Sequence, residues 1–152
     1  MSFILVVEDS PSDYESILRS FKKLGVKDTL YHCETGDEAL DFLYRRKEFS
    51  NEENSPRPSV ILLDLNLPGT DGRDVLKQIK SDPQLRSIPV VVLTTSDSDK
   101  DIKECYQYGA NSYMIKPSNW DDFFKMMESF KNYCLVSATL PDHGPGISSP
   151  GN

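Results

Sequence analysis

Three short apolar segments constrain the fold more than any other feature of this sequence. They read FILVV at 3–7, VILLDLNLP at 60–68, whose first four residues are all apolar, and VVVL at 90–93. A strand with one face in water alternates apolar and polar side chains, whereas a strand covered on both faces is apolar throughout. We therefore predict that these segments are strands at the centre of a sheet with helices on both sides.

Weaker strands and amphipathic segments alternate with these runs. TLYHCE at 29–34 and SYMI at 112–115 have the composition of shorter strands. Capping residues, an apolar repeat of helical spacing and a Gly or Pro stop mark the intervening helices. The predicted helices cover residues 11–24, the segment around 39–43, and residues 71–81, 99–109 and 119–137. This alternation of strand and helix predicts an α/β fold with a parallel sheet.

Length and charge exclude several classes of function. The chain has 152 residues, which suits one domain, and its formal net charge is -7. A dedicated nucleic-acid binder needs clustered Lys and Arg, so we predict no nucleic-acid partner. No apolar run approaches the roughly 20 residues that span a bilayer, and the N-terminus lacks the basic flank of a signal peptide, so we predict no membrane association.

The cysteines do not form a recognisable metal or disulfide pattern. Cys33, Cys105 and Cys134 lie far apart, are odd in number and include no C-x-x-C pair. A zinc site needs more ligands at closer spacing, and a disulfide framework needs an even number of cysteines. We therefore expect free thiols in the reducing environment of the cytoplasm.

Charged and hydroxyl side chains follow the predicted strands at the point where each strand ends. They are Glu8 and Asp9 after the first strand, Asp64 at the third, Thr94 at the fourth and Lys116 at the fifth. In a parallel sheet these ends share one edge, and ligands of such folds bind there. We therefore expect the carboxylates, the hydroxyl and the ammonium to converge.

The clustered carboxylates indicate a metal site. Carboxylates that lie close together repel one another unless a cation is bound among them. Two or three carboxylate oxygens with water suit Mg²⁺, which proteins hold through one or two carboxylates and a substrate phosphate. An aspartate beside such an ion can act as the nucleophile toward a phosphoryl group, and Lys116 can neutralise charge on that group.

Motifs at the strand ends, in this order, resemble those of two-component response-regulator receiver domains. They are VVEDS at 6–10, LLDLNLPGTDG at 62–72, VVVLTTS at 90–96 and YMIKP at 113–117. The resemblance covers nearly the full length of the chain, about residues 3–135. It implies a flavodoxin-like doubly wound (βα)5 fold, with a parallel sheet of strand order 2-1-3-4-5 and helices on both faces.

The same resemblance implies the domain organisation and the role of the chain. Residues 1–137 would form the receiver domain and residues 138–152 an extension that is flexible beyond Pro141, with no effector domain. The long polar segment before SPRPSVILLDLNLP, the segment DGRDVLKQIKSDPQLRSIPVVVLTTS at 71–96 and the ending at TLP resemble the small stand-alone response regulators that partner phytochromes. The chain would then be a signalling phosphoacceptor rather than an enzyme, promoting only its own phosphotransfer and autodephosphorylation. Its donor would be a sensor histidine kinase, namely a phytochrome.

Carried over residue by residue, the resemblance assigns a phosphorylated residue and a metal site. Asp64 matches the phosphoacceptor, and Glu8 and Asp9 match the acids that bind the metal, with Asp9 the more direct ligand. Asn66 matches the position that offers its backbone carbonyl to the ion. The implied cofactor is Mg²⁺, for which Mn²⁺ or Ca²⁺ could substitute.

The resemblance further assigns the residues that respond to the phosphoryl group. Thr94 matches the switch hydroxyl, Lys116 the lysine that pairs with the phosphate, and Tyr113 the aromatic residue whose rotamer follows the state. The bond between Lys116 and Pro117 is typically cis in this family, so a cis-proline is expected. Phosphorylation of Asp64 would change the surface formed by the fourth helix, fifth strand and fifth helix, for dimerisation or partner binding.

The last predicted helix has an unusually wide apolar face. Its apolar residues, which include Trp120, Phe124 and Met127, cover an arc of roughly 200° at about 100° per residue. One interpretation is a helix that packs under the C-terminal extension. The other, which the resemblance supports, is a homodimer face that contains these residues.

Two alternative functions remain open at this point. An aspartyl-phosphate phosphatase of the haloacid-dehalogenase type also uses a strand-end Asp, Mg²⁺, a Thr and a Lys, but it needs a second Asp where this chain has Asn66. A degenerate receiver would act as a constitutive interaction module without phosphorylation. The complete set of Asp9, Asp64, Thr94 and Lys116 argues against that second alternative.

Overall fold

The computed structural model describes residues 3–51, 53 and 55–141. Within these residues one sheet of five parallel strands has the order β2-β1-β3-β4-β5. The strands are β1 (Phe3–Val7), β2 (Thr29–Cys33), β3 (Val60–Leu63), β4 (Val90–Thr94) and β5 (Ser112–Ile115). This order confirms the predicted flavodoxin-like fold, and the apolar runs form the central strands.

α-Helices pack on both faces of the sheet. In the described part of the chain they are α1 (Pro11–Lys23), α2 (Gly36–Leu43), α3 (Gly72–Ser81), α4 (Asp99–Tyr108) and α5 (Trp120–Phe130). A polar side chain caps the start of each helix by accepting a backbone N–H that has no intrahelical partner. The capping residues are Ser10, Thr35, Asp71, Ser98 and Asn119. None of these helices has the length and apolar character that a bilayer-spanning segment requires, as far as the described residues extend.

The sheet separates two apolar cores within the described residues. Leu5 and Val7 of β1 belong to the core that includes side chains of α2, α3 and α4. Ile4 and Val6 belong to the core that includes side chains of α1 and α5. Successive side chains of a strand point to opposite faces, so a strand that lies between two cores must be apolar at every position. This arrangement explains why β1, β3 and β4 are continuous apolar runs.

β3 is shorter than the strand predicted at 60–68. It ends at Leu63, although the N–H of Asp64 still donates to the last carbonyl of β1 at 3.0 Å. Beyond this point the backbone turns back on itself, because the N–H of Gly72 donates to the carbonyl of Leu65 at 2.8 Å. The leucines of this loop are buried, which is why its sequence continues to resemble a strand.

The last helix differs from its prediction in two respects. α-Helical structure ends at Phe130, and Lys131–Ser137 continues as a π-helical segment. Met127, which the sequence assigns to a homodimer face, is fully buried in the core that includes α1 and α5. That assignment is wrong because this part of the wide apolar arc packs inward, and Leu140 also packs against the same core. The flexible tail predicted beyond Pro141 lies outside the described residues.

Candidate functional site

The carboxyl ends of the strands bring the predicted polar residues to one edge of the sheet. β1 and β3 end in register, with Val7 beside Leu63, and Thr94 of β4 lies beside Ile115 of β5. The residues that follow these strand ends therefore share the same edge. They are Glu8 and Asp9 after β1, Asp64 after β3 and Lys116 after β5.

Glu8, Asp9 and Asp64 form a compact acidic cluster. One carboxylate oxygen from each residue lies within 4.8 Å of the other two. Glu8 and Asp64 are 1% and 6% exposed, whereas Asp9 is exposed, so the cluster meets solvent at Asp9. Hard divalent cations prefer carboxylate oxygens, and Mg²⁺ keeps several water ligands beside them. The donor set and its open side therefore fit a divalent cation.

Lys116 joins this cluster to the first helix. Its Nζ donates to Oε1 of Glu8 at 2.5 Å, to Oδ2 of Asp13 at 2.8 Å and to Oδ2 of Asp64 at 3.1 Å. An ammonium has three N–H donors, so these contacts use its full capacity. We call Lys116, Glu8, Asp13 and Asp64 the Lys116 cluster. Asp13 was not predicted from the sequence, and its place in the first turn of α1, four residues after Asp9, is the signal that could have indicated it.

Burial and charge shift the protonation equilibria of the Lys116 cluster. Burial raises the pKa of Glu8 to about 7, since the hydrogen bond from Lys116 only partly offsets it and the charge of Asp64 adds to it. Burial alone would lower the pKa of Lys116, but hydrogen bonds to Asp13 and Glu8 and the charge of Asp64 raise it overall. A bound divalent cation would relieve the repulsion among the carboxylates that Lys116 leaves uncompensated.

The peptide bond between Lys116 and Pro117 is trans. The cis-proline expected from the resemblance is therefore wrong for this structure. Trans is the more stable isomer of an X–Pro bond by about 0.5–1 kcal/mol. The trans backbone already brings the ammonium of Lys116 within hydrogen-bond distance of its carboxylate partners, so the geometry of the site does not require the less stable isomer.

Thr94 and Tyr113 lie on the side of the site formed by β4 and β5. Thr94 is fully buried, and its Oγ1 accepts a long hydrogen bond of 3.5 Å from the N–H of Ser96. The hydroxyl of Tyr113 donates to the carbonyl of Ser96 at 2.9 Å. Tyr113 is therefore connected to the loop that follows Thr94.

The loop between β3 and α3 is held against Asp64 by a close backbone approach. A Cβ atom on Gly72 would lie 2.2 Å from the carbonyl oxygen of Asp64 and 2.6 Å from Cα of Leu65, so only glycine fits. Asn66 is exposed, and its N–H donates to Oδ1 of Asp64 at 3.4 Å. The role of Gly72 was not predicted, although a glycine that opens a helix directly after the candidate site is a usable signal.

A second charged network lies on the α3–α4 side of the site. Arg73 donates from Nε and Nη2 to the two carboxylate oxygens of Asp101 at 2.8 and 2.7 Å, and its Nη1 lies 3.1 Å from Oδ1 of Asp71. The hydroxyl of Ser96 donates to Asp101 at 2.6 Å. Arg73 and Asp101 are 28 residues apart, a separation at which no sequence pattern indicates pairing.

His32 supports the acidic turn from β2. Its Nε2 donates to the backbone carbonyl of Glu8 at 2.7 Å, since a carbonyl oxygen can only accept. The imidazole ring stacks on Tyr14 of α1, with ring centroids 3.5 Å apart and planes inclined by 10°. The N–H of Glu8 also donates to the carbonyl of Cys33 at 2.9 Å. β2 and α1 therefore fix the backbone that carries Glu8 and Asp9.

Comparison with known sequences agrees with this geometry. Residues 4–128 match the response regulator receiver domain family. The chain is 44% identical over 138 residues to response regulator Rcp1 of Synechocystis, with 91% of this chain and 92% of Rcp1 covered. It is 43% identical over 132 residues to the probable methanogenesis regulatory protein FilR2 of Methanothrix harundinacea, with 87% of this chain and 83% of FilR2 covered.

Solved structures are similar over the same span. The crystal structure of the Mn(2+)-bound form of response regulator Rcp1 has a TM-score of 0.87 and 42% identity, and the match covers 93% of this chain and 100% of that chain. The crystal structure of the phosphorylated cyanobacterial phytochrome response regulator RcpA also has a TM-score of 0.87, with 39% identity and coverages of 93% and 99%. With the acids, the hydroxyl and the lysine at one sheet edge, these similarities show that the chain belongs to the response regulator receiver domain family.

Proposed function

We propose that this chain is a phosphoacceptor of a two-component phosphorelay and that Asp64 receives the phosphoryl group. One observation carries the proposal: the buried carboxylate of Asp64 is grouped with Glu8 and Asp9 and lies 3.1 Å from Nζ of Lys116. An anionic nucleophile that meets an anionic phosphoryl group needs positive charge fixed beside it, and this arrangement supplies an ammonium and a place for a cation.

The proposed reaction transfers a phosphoryl group from a phosphohistidine of a sensor histidine kinase. A carboxylate oxygen of Asp64 bonds to phosphorus while the phosphorus–nitrogen bond breaks. The imidazole nitrogen keeps the electron pair of that bond and takes up a proton. In the later autodephosphorylation, water attacks phosphorus, the carboxylate of Asp64 leaves and inorganic phosphate is released.

Glu8, Asp9, Asp64 and the backbone carbonyl of Asn66 would hold Mg²⁺. The donor oxygens of the three acids lie close enough together to share one ion. When bound, the ion supplies charge neutralisation for the phosphoryl oxygens. Mn²⁺ or Ca²⁺ could substitute, and the Mn(2+)-bound form of the related protein Rcp1 supports a divalent metal as the cofactor.

Lys116 and Thr94 would bind the transferred group. Nζ of Lys116 already contacts Oδ2 of Asp64, so it lies where phosphoryl oxygens attached to Asp64 would need a counter-charge. The hydroxyl of Thr94 would donate to a phosphoryl oxygen. Phosphorylation adds close to one further negative charge, and Tyr113 would follow the change through its bond to Ser96.

A phytochrome kinase acting in the cytoplasm is the donor that the similarities favour. RcpA, with 39% identity, is a cyanobacterial phytochrome response regulator, and RtBRR, with 35% identity and a TM-score of 0.75, is a bacteriophytochrome response regulator. Short-time phosphotransfer from an autophosphorylated phytochrome kinase and from an unrelated histidine kinase tests this choice. We expect faster transfer from the phytochrome, and equal rates would contradict it.

The proposed output is a change at the surface formed by α4, β5 and α5, through dimerisation or partner binding. Tyr106 and Ile115 are 49% and 44% exposed there, and Trp120 and Phe124 are partly exposed. Large apolar side chains exposed around an edge strand suit a protein partner. Sedimentation of the phosphorylated and the unphosphorylated chain at micromolar concentration tests whether a homodimer forms. We expect Ile115→Asp to yield monomer, and a wild-type chain that is monomeric in every state would contradict dimerisation.

Phosphate uptake from acetyl phosphate with Mg²⁺ tests the phosphoacceptor role. We expect the wild type to gain one acid-labile phosphoryl group by intact mass, and Asp64→Asn to gain none. Asp74→Asn removes an exposed carboxylate of α3 and is the matched control, which should behave as the wild type. No uptake by the wild type would favour a constitutive interaction module, and turnover of phosphomonoesters would favour a phosphatase.

A further inference from the structure

Arg73 and Asp101 form a bidentate ion pair outside the Lys116 cluster. The guanidinium uses two donors, Nε and Nη2, against both carboxylate oxygens at 2.8 and 2.7 Å. Bidentate, charge-assisted pairs of this kind are stronger and more specific in direction than single contacts. Arg73 lies in the first turn of α3 and Asp101 in the first turn of α4, so the pair joins the starts of two neighbouring helices.

The carboxylate of Asp101 also holds the loop between β4 and α4. The hydroxyl of Ser96 donates to Oδ2 of Asp101 at 2.6 Å. Ser96 is two residues beyond Thr94, and its N–H is directed at Oγ1 of Thr94 at 3.5 Å. Its carbonyl accepts the hydroxyl of Tyr113 at 2.9 Å. A contact that holds Ser96 in place therefore also restrains Thr94 and Tyr113, the two residues that the proposed function assigns to the switch.

The other end of the pair is attached to the loop that carries Asp64. Arg73 directly follows Gly72, whose backbone lies so close to the carbonyl of Asp64 that no Cβ fits between them. Nη1 of Arg73 is also within 3.1 Å of both carboxylate oxygens of Asp71, the N-cap of α3. Arg73 is therefore held in place relative to Asp64. Asp101 and Ser96 connect it to the loop that follows Thr94.

Apolar packing alone holds α4 weakly. Among the residues of α4, all of which the structure describes, Cys105 is the single fully buried side chain. The neighbouring α3 buries Val75, Leu76 and Ile79. The position of α4 and of the loop before it must therefore depend more on polar contacts. The hydrogen bonds from Arg73 and then Ser96 lower the pKa of Asp101 to about 2, so its carboxylate is charged at neutral pH.

We propose that Arg73 and Asp101 are positioning residues for phosphoryl acceptance, because their ion pair, acting through Ser96, holds the hydroxyl of Thr94 in place relative to Asp64. We call Arg73, Asp101 and Ser96 the Arg73 clasp. The inference rests on the proposed function, since it concerns the same transfer to Asp64. An ion pair and a hydrogen bond connect the start of α3 to the loop between β4 and α4. The side chains that make this connection do not touch the reacting atoms.

Ser96→Ala is the most selective test, because it removes the link to the loop and leaves the ion pair between Arg73 and Asp101 in place. The measurement is the rate of phosphate uptake from acetyl phosphate with Mg²⁺, per folded protein. We expect Ser96→Ala and Asp101→Asn to take up phosphate about tenfold more slowly, which is less than the roughly hundredfold loss that a misplacement of about 1 Å can cause. Lys100→Gln, which removes an exposed charge from the same helix turn, should keep the wild-type rate.

A second background separates positioning from general weakening of the fold. In Thr94→Val the hydroxyl is absent, so Ser96→Ala should slow uptake no further if the clasp acts through it. Unchanged uptake by Ser96→Ala in the wild-type background would overturn the inference. An equal slowing in both backgrounds would also overturn it. Failure of the proposed function is distinct, because the wild type itself would then take up no phosphate.

Discussion

Two charged networks flank Asp64, and they differ in burial and in the balance of their charges. In the Lys116 cluster the lysine side chain is 4% exposed and meets three carboxylates. In the Arg73 clasp the arginine side chain is 26% exposed and donates to both carboxylate oxygens of Asp101. It also forms an ion pair with Asp71. The first network holds an excess of negative charge in a buried place, whereas the second is closer to neutral and reaches solvent.

The difference shows that a carboxylate paired with a basic side chain can have its pKa shifted in either direction, depending on burial and on the balance of charge. Burial raises the pKa of Glu8 to about 7, which means that the surroundings disfavour its charged form. Hydrogen bonds lower the pKa of Asp101 to about 2, which means that its surroundings favour the charged form. The electrostatics of the Lys116 cluster therefore favour a cation-binding site, whereas those of the Arg73 clasp favour a structural restraint.

Breaking the Lys116 cluster should have the largest effect. Lys116→Met leaves buried carboxylates without their ammonium, so we expect the free energy of unfolding to fall by about 3 kcal/mol and phosphate uptake to become undetectable. Urea unfolding and uptake from acetyl phosphate measure the two effects. Lys103→Met, at an exposed position of α4, is the control and should change neither. Wild-type stability in Lys116→Met would contradict the account of this cluster.

Gly72 lies between the two networks, and its substitution should rank next. In Gly72→Ala the new Cβ meets backbone atoms of Asp64 and Leu65, so we expect a loss of about 2–3 kcal/mol in unfolding free energy. Gly25→Ala is a matched control, because a Cβ there meets no described atom within 4 Å and only the left-handed φ of 71° is strained. We expect about 1 kcal/mol for it. Equal losses would show that the close approach at Gly72 is unimportant.

The Arg73 clasp should contribute a smaller and pH-dependent stabilisation. Asp101→Asn should cost about 1 kcal/mol near neutral pH, since the pair is partly exposed and screened. The folded-state pKa of Asp101 is depressed from 3.8 to about 2, so this stabilisation is present above about pH 4 and is lost as the pH falls toward 2. Urea unfolding of both proteins at neutral and acidic pH measures it. A difference in unfolding free energy between the wild type and Asp101→Asn that grows as the pH falls would contradict a stabilising charge on Asp101.

His32 offers the mildest perturbation of the acidic turn. His32→Phe keeps an aromatic ring to stack on Tyr14 but removes the hydrogen bond to the carbonyl of Glu8. We expect a loss of about 0.5 kcal/mol in stability and a weaker affinity for Mg²⁺. Titration with Mg²⁺, followed by the fluorescence of Trp120, the one tryptophan of the chain, measures the second effect. Tighter Mg²⁺ binding by the variant would contradict a supporting role for His32.

The fold and the strand-end residues of the site were predictable because both follow from local sequence. Continuous apolar runs mark strands between two cores, and the side chains directly after those runs must reach one edge of a parallel sheet. Glu8, Asp9, Asp64 and Lys116 were therefore placed correctly at that edge. The apolar pattern predicts a β3 that is too long, because the buried leucines of the following loop continue it.

The remaining features depend on contacts between distant parts of the chain. Asp13 reaches Lys116 across 103 residues, and Arg73 reaches Asp101 across 28. The inward packing of Met127 depends on where α1 and the sheet lie, so a wide apolar arc cannot by itself indicate a dimer face. The trans bond before Pro117 depends on a small energy difference that the motif does not report.

Locating the phosphoryl group tests the central claim most directly. The wild-type chain would be treated with acetyl phosphate and Mg²⁺, the acyl phosphate trapped by borohydride reduction, and the peptides mapped by mass spectrometry. We expect a single reduced residue, at Asp64, and none when Mg²⁺ is chelated. Modification at Glu8, Asp9 or Asp13 instead of Asp64, or no modification with Mg²⁺ present, would contradict it.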